Sequence, residues 1–426
     1  MSGSTIVRVH GRQVWDSRGR PTVEVDVDLA GGVRGRAIAP AGASRGANEA
    51  VDLRDGGQPA GGLGVASAVA RVNSEIARTL VGQNALLQAE RDNELIALDG
   101  TPDKSRLGGN AMVATSMAVL HAAAAFNGQP LYAYLAEGRP VRLPLPEIQI
   151  FGGGAHAGRR VDVQDFMIAP LGASSFRNAL VMTAEVYRAA GELMAEAGRL
   201  YGVADEGGFW PAFDTNEDAL TMLMRAIERA GYRPLEEIAI SLDVAASQLG
   251  SNGRYTLGLE RRELDTDGMC EMLLSWLERY PIVSIEDPLA DDDVAGWIRF
   301  TAAAGTRVQI VGDDFLVTNA QRVKHAVAAA ACNAVLLKPN QAGTVTETKA
   351  ALDAGKNAGW GTIVSARSGE TEDVTIVHLA VGWDAGQLKV GSFARSERMA
   401  KWNEGLRIEE ALGGAAVFAR GAITNP

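Results

Sequence analysis

Apolar and acidic residues alternate along TVEVDVDLA, residues 22–30, with the period of two expected of a strand that has one face on a core and one in water. The opening segment as a whole reads as antiparallel strands. A stretch too rich in Gly, Ala and Ser for regular structure follows, AIAPAGASRGANEAVDLRDGG. From about Gly64 to Ala136 the pattern turns helical, most clearly around NAMVATSMAVLHAAAAF. Strands followed by helices predict an α+β domain over 1–138, closed by the proline-rich linker RPVRLPLPEI near Pro140.

Residues 139–426 follow another rule. Short β-branched strands alternate with helices, and each strand runs into a polar cluster: EIAISLDVAAS, PIVSIEDPLADDD, RVQIVGDDF, NAVLLKPNQAG, GTIVSARSGE and GQLKVGS. This α/β repeat is long enough to close into a barrel, and barrels carry their chemistry at the carboxyl ends of the strands. Those positions hold Asp243, Glu286, Asp313, Lys338, Arg367 with Ser368, and Lys389.

Composition narrows the partners. Of 426 residues, 52 are acidic and 41 basic, a formal charge of −11, which argues against nucleic acid or an anionic membrane. An anionic substrate would have to be drawn in by local cations or metal. The start has no apolar run behind a basic region, and no window reaches the roughly eighteen apolar residues of a membrane span. The two cysteines, Cys270 and Cys332, lack metal or redox spacing and read as buried thiols in a reducing compartment, so the expected location is the cytosol.

Three carboxylates at successive strand ends, Asp243, Glu286 and Asp313, suit Mg²⁺, a hard cation that prefers oxygen ligands. Each alone would equally well cap a helix or face solvent. Lys338 and Lys389 lie in the same series, and a lysine near a cation is pushed toward the neutral form a general base needs. They would serve equally well as anion-binding ammonium groups. Arg367 and Ser368 suggest an oxyanion clamp, and Glu206, in DEGG, an acid on a tight loop. GGGAHAG around His156 lacks the strand-to-helix spacing of a dinucleotide loop. His10, His121, His325 and His378 read as structural.

The blocks DSRGRPTVEVDV, GASRG, VADEGGF, SLDVAAS, SIEDPLADDD, VGDDF, LLKPNQAGT, RSGETED, AGQLKVGS, RSERMAKWNE and LRIEE resemble enolase (phosphopyruvate hydratase) over essentially the whole chain, in the family's order. The resemblance implies an amino-terminal α+β lid domain and a carboxyl-terminal barrel with a modified ββαα start. It implies two Mg²⁺ ions, the first held by Asp243, Glu286 and Asp313 and the second with help from Ser44 in a mobile loop. Lys338 would be the base and Glu206 the acid that lets hydroxide leave as water. Lys389 and Gln164 would hold the substrate carboxylate, Arg367 and Ser368 the phosphate, and His156 would close over the substrate. The family also implies a homodimer or homo-octamer.

The departures from the family cluster around the site while the metal ligands and both lysines stay intact. Ala366 stands where enolases carry a histidine, Asp165 where they carry a glutamate, Ala41 and Arg45 in the mobile loop, Asn48 for a common histidine, and Ala155 before His156. Retained chemistry with an altered envelope implies a larger or more anionic phosphorus-bearing substrate, such as the 2-phosphonoformylglycerate that enolase-like proteins of phosphonate pathways convert to carboxyphosphonoenolpyruvate. Arg45 could pair with the added carboxylate. The alternatives are an ordinary glycolytic enolase and an inactive enolase-like binding protein.

Overall fold

The computed structural model describes residues 2–43 and 46–423. Three antiparallel strands open the chain, β1 (Ile6–Trp15), β2 (Pro21–Leu29) and β3 (Arg34–Ile38), with β2 central. The alternation in β2 does not mark a solvent face. Val23, Val25 and Val27 enter the core, yet Glu24 and Asp26 are buried too. Arg12 on β1 pairs with both acids, and Arg36 on β3 donates Nε–H to Asp26 at 2.8 Å. The arginine stems lie over the sheet and keep their heads near water, so they cover a face that a sequence pattern reads as wet. Burial works to raise the Asp26 carboxyl, but the bonds from Arg12 and Arg36 outweigh it and hold it low.

The helix Gly109–Phe126 packs on this sheet. It is long and apolar enough to cross a membrane by length and composition, but 83% of its residues are buried inside the protein. Its alanine-rich surface makes it a core helix.

The second part is a closed barrel of eight strands. They are β4 (Leu145–Gly152), β5 (Asp165–Ala169), β6 (Ala239–Asp243), β7 (Ile282–Glu286), β8 (Gln309–Gly312), β9 (Ala334–Leu337), β10 (Gly361–Ser365) and β11 (Gly386–Ser392). β5 runs antiparallel to both neighbours, and two consecutive helices, Phe176–Glu196 and Asn216–Arg229, separate it from β6. This is the ββαα start, and from β6 onward the strands are parallel. A small three-stranded hairpin unit, 250–265, is inserted between β6 and β7.

The described residues of the glycine-rich segment after β3 contact the barrel rim as irregular chain. Ala41 and Gly369 exchange backbone hydrogen bonds at 2.8 and 2.9 Å, Ala43 N–H donates to Ser368 Oγ at 3.3 Å, and Ala50 N–H donates to Gln341 O at 2.8 Å. The segment is thus tied to the rim at Ala41, Ala43 and Ala50, while Ser44 and Arg45 lie outside the described residues. Cys332 is buried and Cys270 only half-buried, against the expectation of two buried thiols; both are free.

Candidate active site

Closure of the barrel is what gathers the polar strand ends. Asp243 and Glu286 are the last residues of β6 and β7, and Asp313 and Lys338 directly follow β8 and β9. Arg367 and Ser368 lie in the turn after β10, while Lys389 sits inside β11 rather than at its end. Strand register pairs Asp243 with both Asp165 and Glu286, and Ser365 with Lys389. All are buried.

The ammonium groups lie among the carboxylates. Lys389 Nζ is 2.8 Å from Asp243 Oδ2, 2.8 Å from Glu286 Oε2 and 3.5 Å from Asp165 Oδ2. Lys338 Nζ is 2.5 Å from Asp313 Oδ2, and Gln341 donates to Asp313 Oδ1 at 2.8 Å. Each ammonium therefore takes its charge from the carboxylates it touches. Burial pulls Lys338 down, but contact with Asp313 more than reverses it and the group is held charged. Asp243 and Glu286 do the same for Lys389, more strongly. Carboxylates in direct contact outweigh repulsion from the other lysine.

Acids still outnumber cations. Burial and Asp243 push the Glu286 carboxyl well above the usual range despite Lys389. Burial and Asp313 push Asp314 up to about 7. Glu286 Oε1 is buried without a hydrogen-bond partner among the described residues. An orphan oxygen in a surplus of negative charge fits a hard cation held by Asp243, Glu286 and Asp313. Among the described residues, the acid groups whose oxygens or nitrogens lie within 4.8 Å of one another are His156 with Asp165 and Glu206, and Asp287 with Asp313 and Asp314; Asp243, Glu286 and Asp313 are not gathered that closely, each being in contact with a lysine. Asp287 has a structural use, since its two oxygens accept the N–H groups of Asp313 and Asp314 at 2.8 Å each.

Opposite charge surrounds His156, which lies in the short turn Gly154–Ala157. Its Nδ1 is 3.0 Å from Asp165 Oδ1, and its Nε2 is 3.0 Å from Ser368 Oγ and 3.6 Å from Glu206 Oε1. Burial opposes protonation, yet Glu206 and Asp165 raise this imidazole to about 9. Asp165 is in turn held below its ordinary range: burial would raise it, but His156 and Lys389 prevail. Gln149 links the parts, donating to Asp165 and accepting from Gly208 N–H at 2.9 Å beside Glu206. Gly207, with φ +95°, lets that loop turn; a Cβ there would lie 2.6 Å from Ala394 O.

Arg367, read from the sequence as part of an anion clamp, has a partner that the sequence did not suggest. Arg367 Nη1 and Nη2 lie 3.0 and 3.2 Å from the two oxygens of Glu49, and Nη1 also donates to Asn340 Oδ1 at 3.2 Å. Gln164, read as a carboxylate holder, donates to Asp243 Oδ2 at 3.0 Å and accepts from Gln248 at 2.5 Å. His156, Gln164, Asp165, Glu206, Asp243, Lys338, Arg367, Ser368 and Lys389 line one small cavity, and Ala366 lines it too. Ser44 and Arg45 are outside the described residues. Glu286 and Asp313 lie behind the wall, in contact with the two lysines. Asp287 and Asp314 stood next to recognised residues and could have been taken with them. Glu49 and Gln341 had no sequence signal of their own.

A closed barrel whose rim joins buried carboxylates, two lysines and an arginine around one cavity has the architecture of an α/β-barrel enzyme. The sequence model of the enolase N-terminal domain matches residues 6–135, and that of the enolase C-terminal TIM barrel domain matches 140–425. The chain is 48% identical over 421 residues to Enolase 1 of Desulfitobacterium hafniense (strain Y51), covering 98% of this chain and 96% of that protein. It is also 48% identical over 416 residues to Enolase 2 of Pseudomonas syringae pv. syringae (strain B728a), covering 97% of each. The chain belongs to the enolase family and is a hydro-lyase of the enolase type.

Proposed function

We propose that the enzyme dehydrates a 2-phosphoglycerate-like acid whose phosphorus end is enlarged, as in the conversion of 2-phosphonoformylglycerate to carboxyphosphonoenolpyruvate. Lys338 takes the proton alpha to the carboxylate, and the electrons of that C–H bond pass into an enediolate. Collapse of the enediolate forms the C=C bond and breaks the C–O bond at the next carbon. Glu206 gives the departing hydroxide its proton, so that water leaves. To accept a proton, Lys338 must be neutral, so Asp313 must first release the ammonium it contacts. Mg²⁺, when bound by Asp243, Glu286 and Asp313, with a second ion assisted by Ser44, would stabilise charge building on the substrate carboxylate. Lys389 and Gln164 would orient that carboxylate, and Arg367, Ser368 and His156 the phosphorus end, with Asp165 fixing His156.

The observation that carries the substrate reading is Ala366, whose methyl lines the cavity where the family has an imidazole. Arg45 would meet the added charge. The second reading, 2-phosphoglycerate to phosphoenolpyruvate, is supported by the 48% identity to proteins named enolase. Steady-state kinetics on both substrates separates them. The enlarged substrate should be preferred by at least about tenfold in kcat/KM, about 1.4 kcal/mol. Ala366→His and Arg45→Thr should each cut that ratio. Efficient turnover of plain 2-phosphoglycerate, with a ratio indifferent to both changes, would establish the second reading. A cytosolic homodimer or homo-octamer is the proposed working form, testable by analytical ultracentrifugation.

A further inference from the structure

The C-terminal helix Ser396–Leu412 buries Arg398, and one turn later Lys401 and Trp402, completely. Arg398 Nη1 donates to the carbonyls of Arg367 at 2.7 Å and Val390 at 2.8 Å, and Nη2 donates to that of Ser368 at 2.6 Å. Lys401 Nζ donates to Thr371 O at 2.6 Å and lies 2.9 Å from Glu370 Oε2. The other oxygen of Glu370 accepts the Arg367 N–H at 2.9 Å. Trp402 donates to Ser392 O at 3.0 Å, and Ser392 N–H donates to Glu206 O at 3.0 Å.

The guanidinium of Arg398 is costly where it lies. It has no exposure, its strong acceptors are neutral carbonyls, and Nε has no hydrogen-bond partner among the described residues. The acid oxygens near it are Glu397 Oε1 at 3.6 Å and Glu206 Oε1 at 4.0 Å. A long apolar side chain would fill the same space without burying a charge, so packing alone does not explain an arginine. A planar fork can bind carbonyls of two loops at fixed angles, which neither lysine nor an apolar residue can do. Gly391, with φ +107°, admits this approach, because a Cβ there would lie 3.0 Å from Glu206 Oε2 and 3.1 Å from Arg398 Cδ.

We propose that Arg398 is a positioning residue for the dehydration. It ties the turn after β10 to the end of β11, so that Arg367 and Ser368 face the substrate anion while Glu206 stays aimed at the departing hydroxyl. The proposal rests on the reading of this cavity as the dehydration site. Arg398→Lys keeps the charge and removes the fork. Its affinity for inorganic phosphate, measured by calorimetry, should fall about tenfold or more. In deuterated solvent, with Mg²⁺, its dehydration should fall at least about tenfold further than its exchange of the alpha proton, because Lys338 is left in place. Wild-type phosphate affinity together with an unchanged ratio of dehydration to exchange in folded Arg398→Lys would overturn the proposal. If that variant does not fold, Lys401→Met removes support from Thr371 and Glu370 alone. It should also weaken phosphate binding, and unchanged binding would again overturn the proposal. Phosphate binding needs no turnover, so a wild-type enzyme that binds phosphate yet dehydrates neither 2-phosphoglycerate nor 2-phosphonoformylglycerate would refute the catalytic reading instead.

Discussion

His156 offers a sharp electrostatic test, because its charge is set by two acids in a closed site. The perturbation is pH, applied to wild type and to His156→Gln without divalent cations. In the folded protein the imidazole lies between Asp165 at 3.0 Å and Glu206 at 3.6 Å, with Asp243 adding to the field, and it is raised from 6.5 to about 9. A displacement of that size is worth about 3 kcal/mol. The sign follows from the raised folded value. The stabilisation is fully present below the unfolded value of 6.5 and is lost as pH climbs through about 9. The stability advantage of wild type over His156→Gln should therefore shrink by about 3 kcal/mol between pH 6 and pH 9.5. Comparison with the variant removes other groups that titrate nearby, Asp314 among them at about 7. The assay is NMR titration of labelled imidazoles, with His156 assigned by its loss in the variant, alongside denaturant unfolding at both pH values. An imidazole midpoint below 7, or an identical pH dependence of stability in the two proteins, would refute the reasoning.

Further predictions address the reaction and its supports. Lys338→Ala should lose exchange of the alpha proton with deuterated solvent, while Glu206→Gln should keep exchange and lose elimination; the opposite pattern, read by mass spectrometry, would reverse the two roles. Asp313→Asn should weaken Mg²⁺ binding by about tenfold or more in calorimetric titration, since it removes a charged oxygen ligand; unchanged affinity would remove Asp313 from the metal site. Glu49→Gln should tighten inorganic phosphate about tenfold, because a neutral amide competes poorly for the Arg367 fork. Weaker phosphate binding in that variant would mean that Glu49 instead orients Arg367 for the anion.

The sequence alone determined the alternation of strand and helix, the strand ends that carry Asp243, Glu286 and Asp313, and the family. These are local or linear properties: hydrophobic period, β-branched runs that stop at polar clusters, and long signature blocks. It misread whatever depended on a neighbour distant in the chain. The acidic face of β2 looked solvated because Arg12 and Arg36, which cover it, reach it only through the sheet. The contact of Lys338 with Asp313 at 2.5 Å exists only once the barrel has closed. Glu49 met Arg367, and Arg398 met the carbonyls of Arg367 and Ser368, only after the lid and the last helix folded onto the rim. Which positions are buried can be read from a pattern. Which charges face one another, and hence which protons they hold, is fixed by distances that exist only in the closed fold.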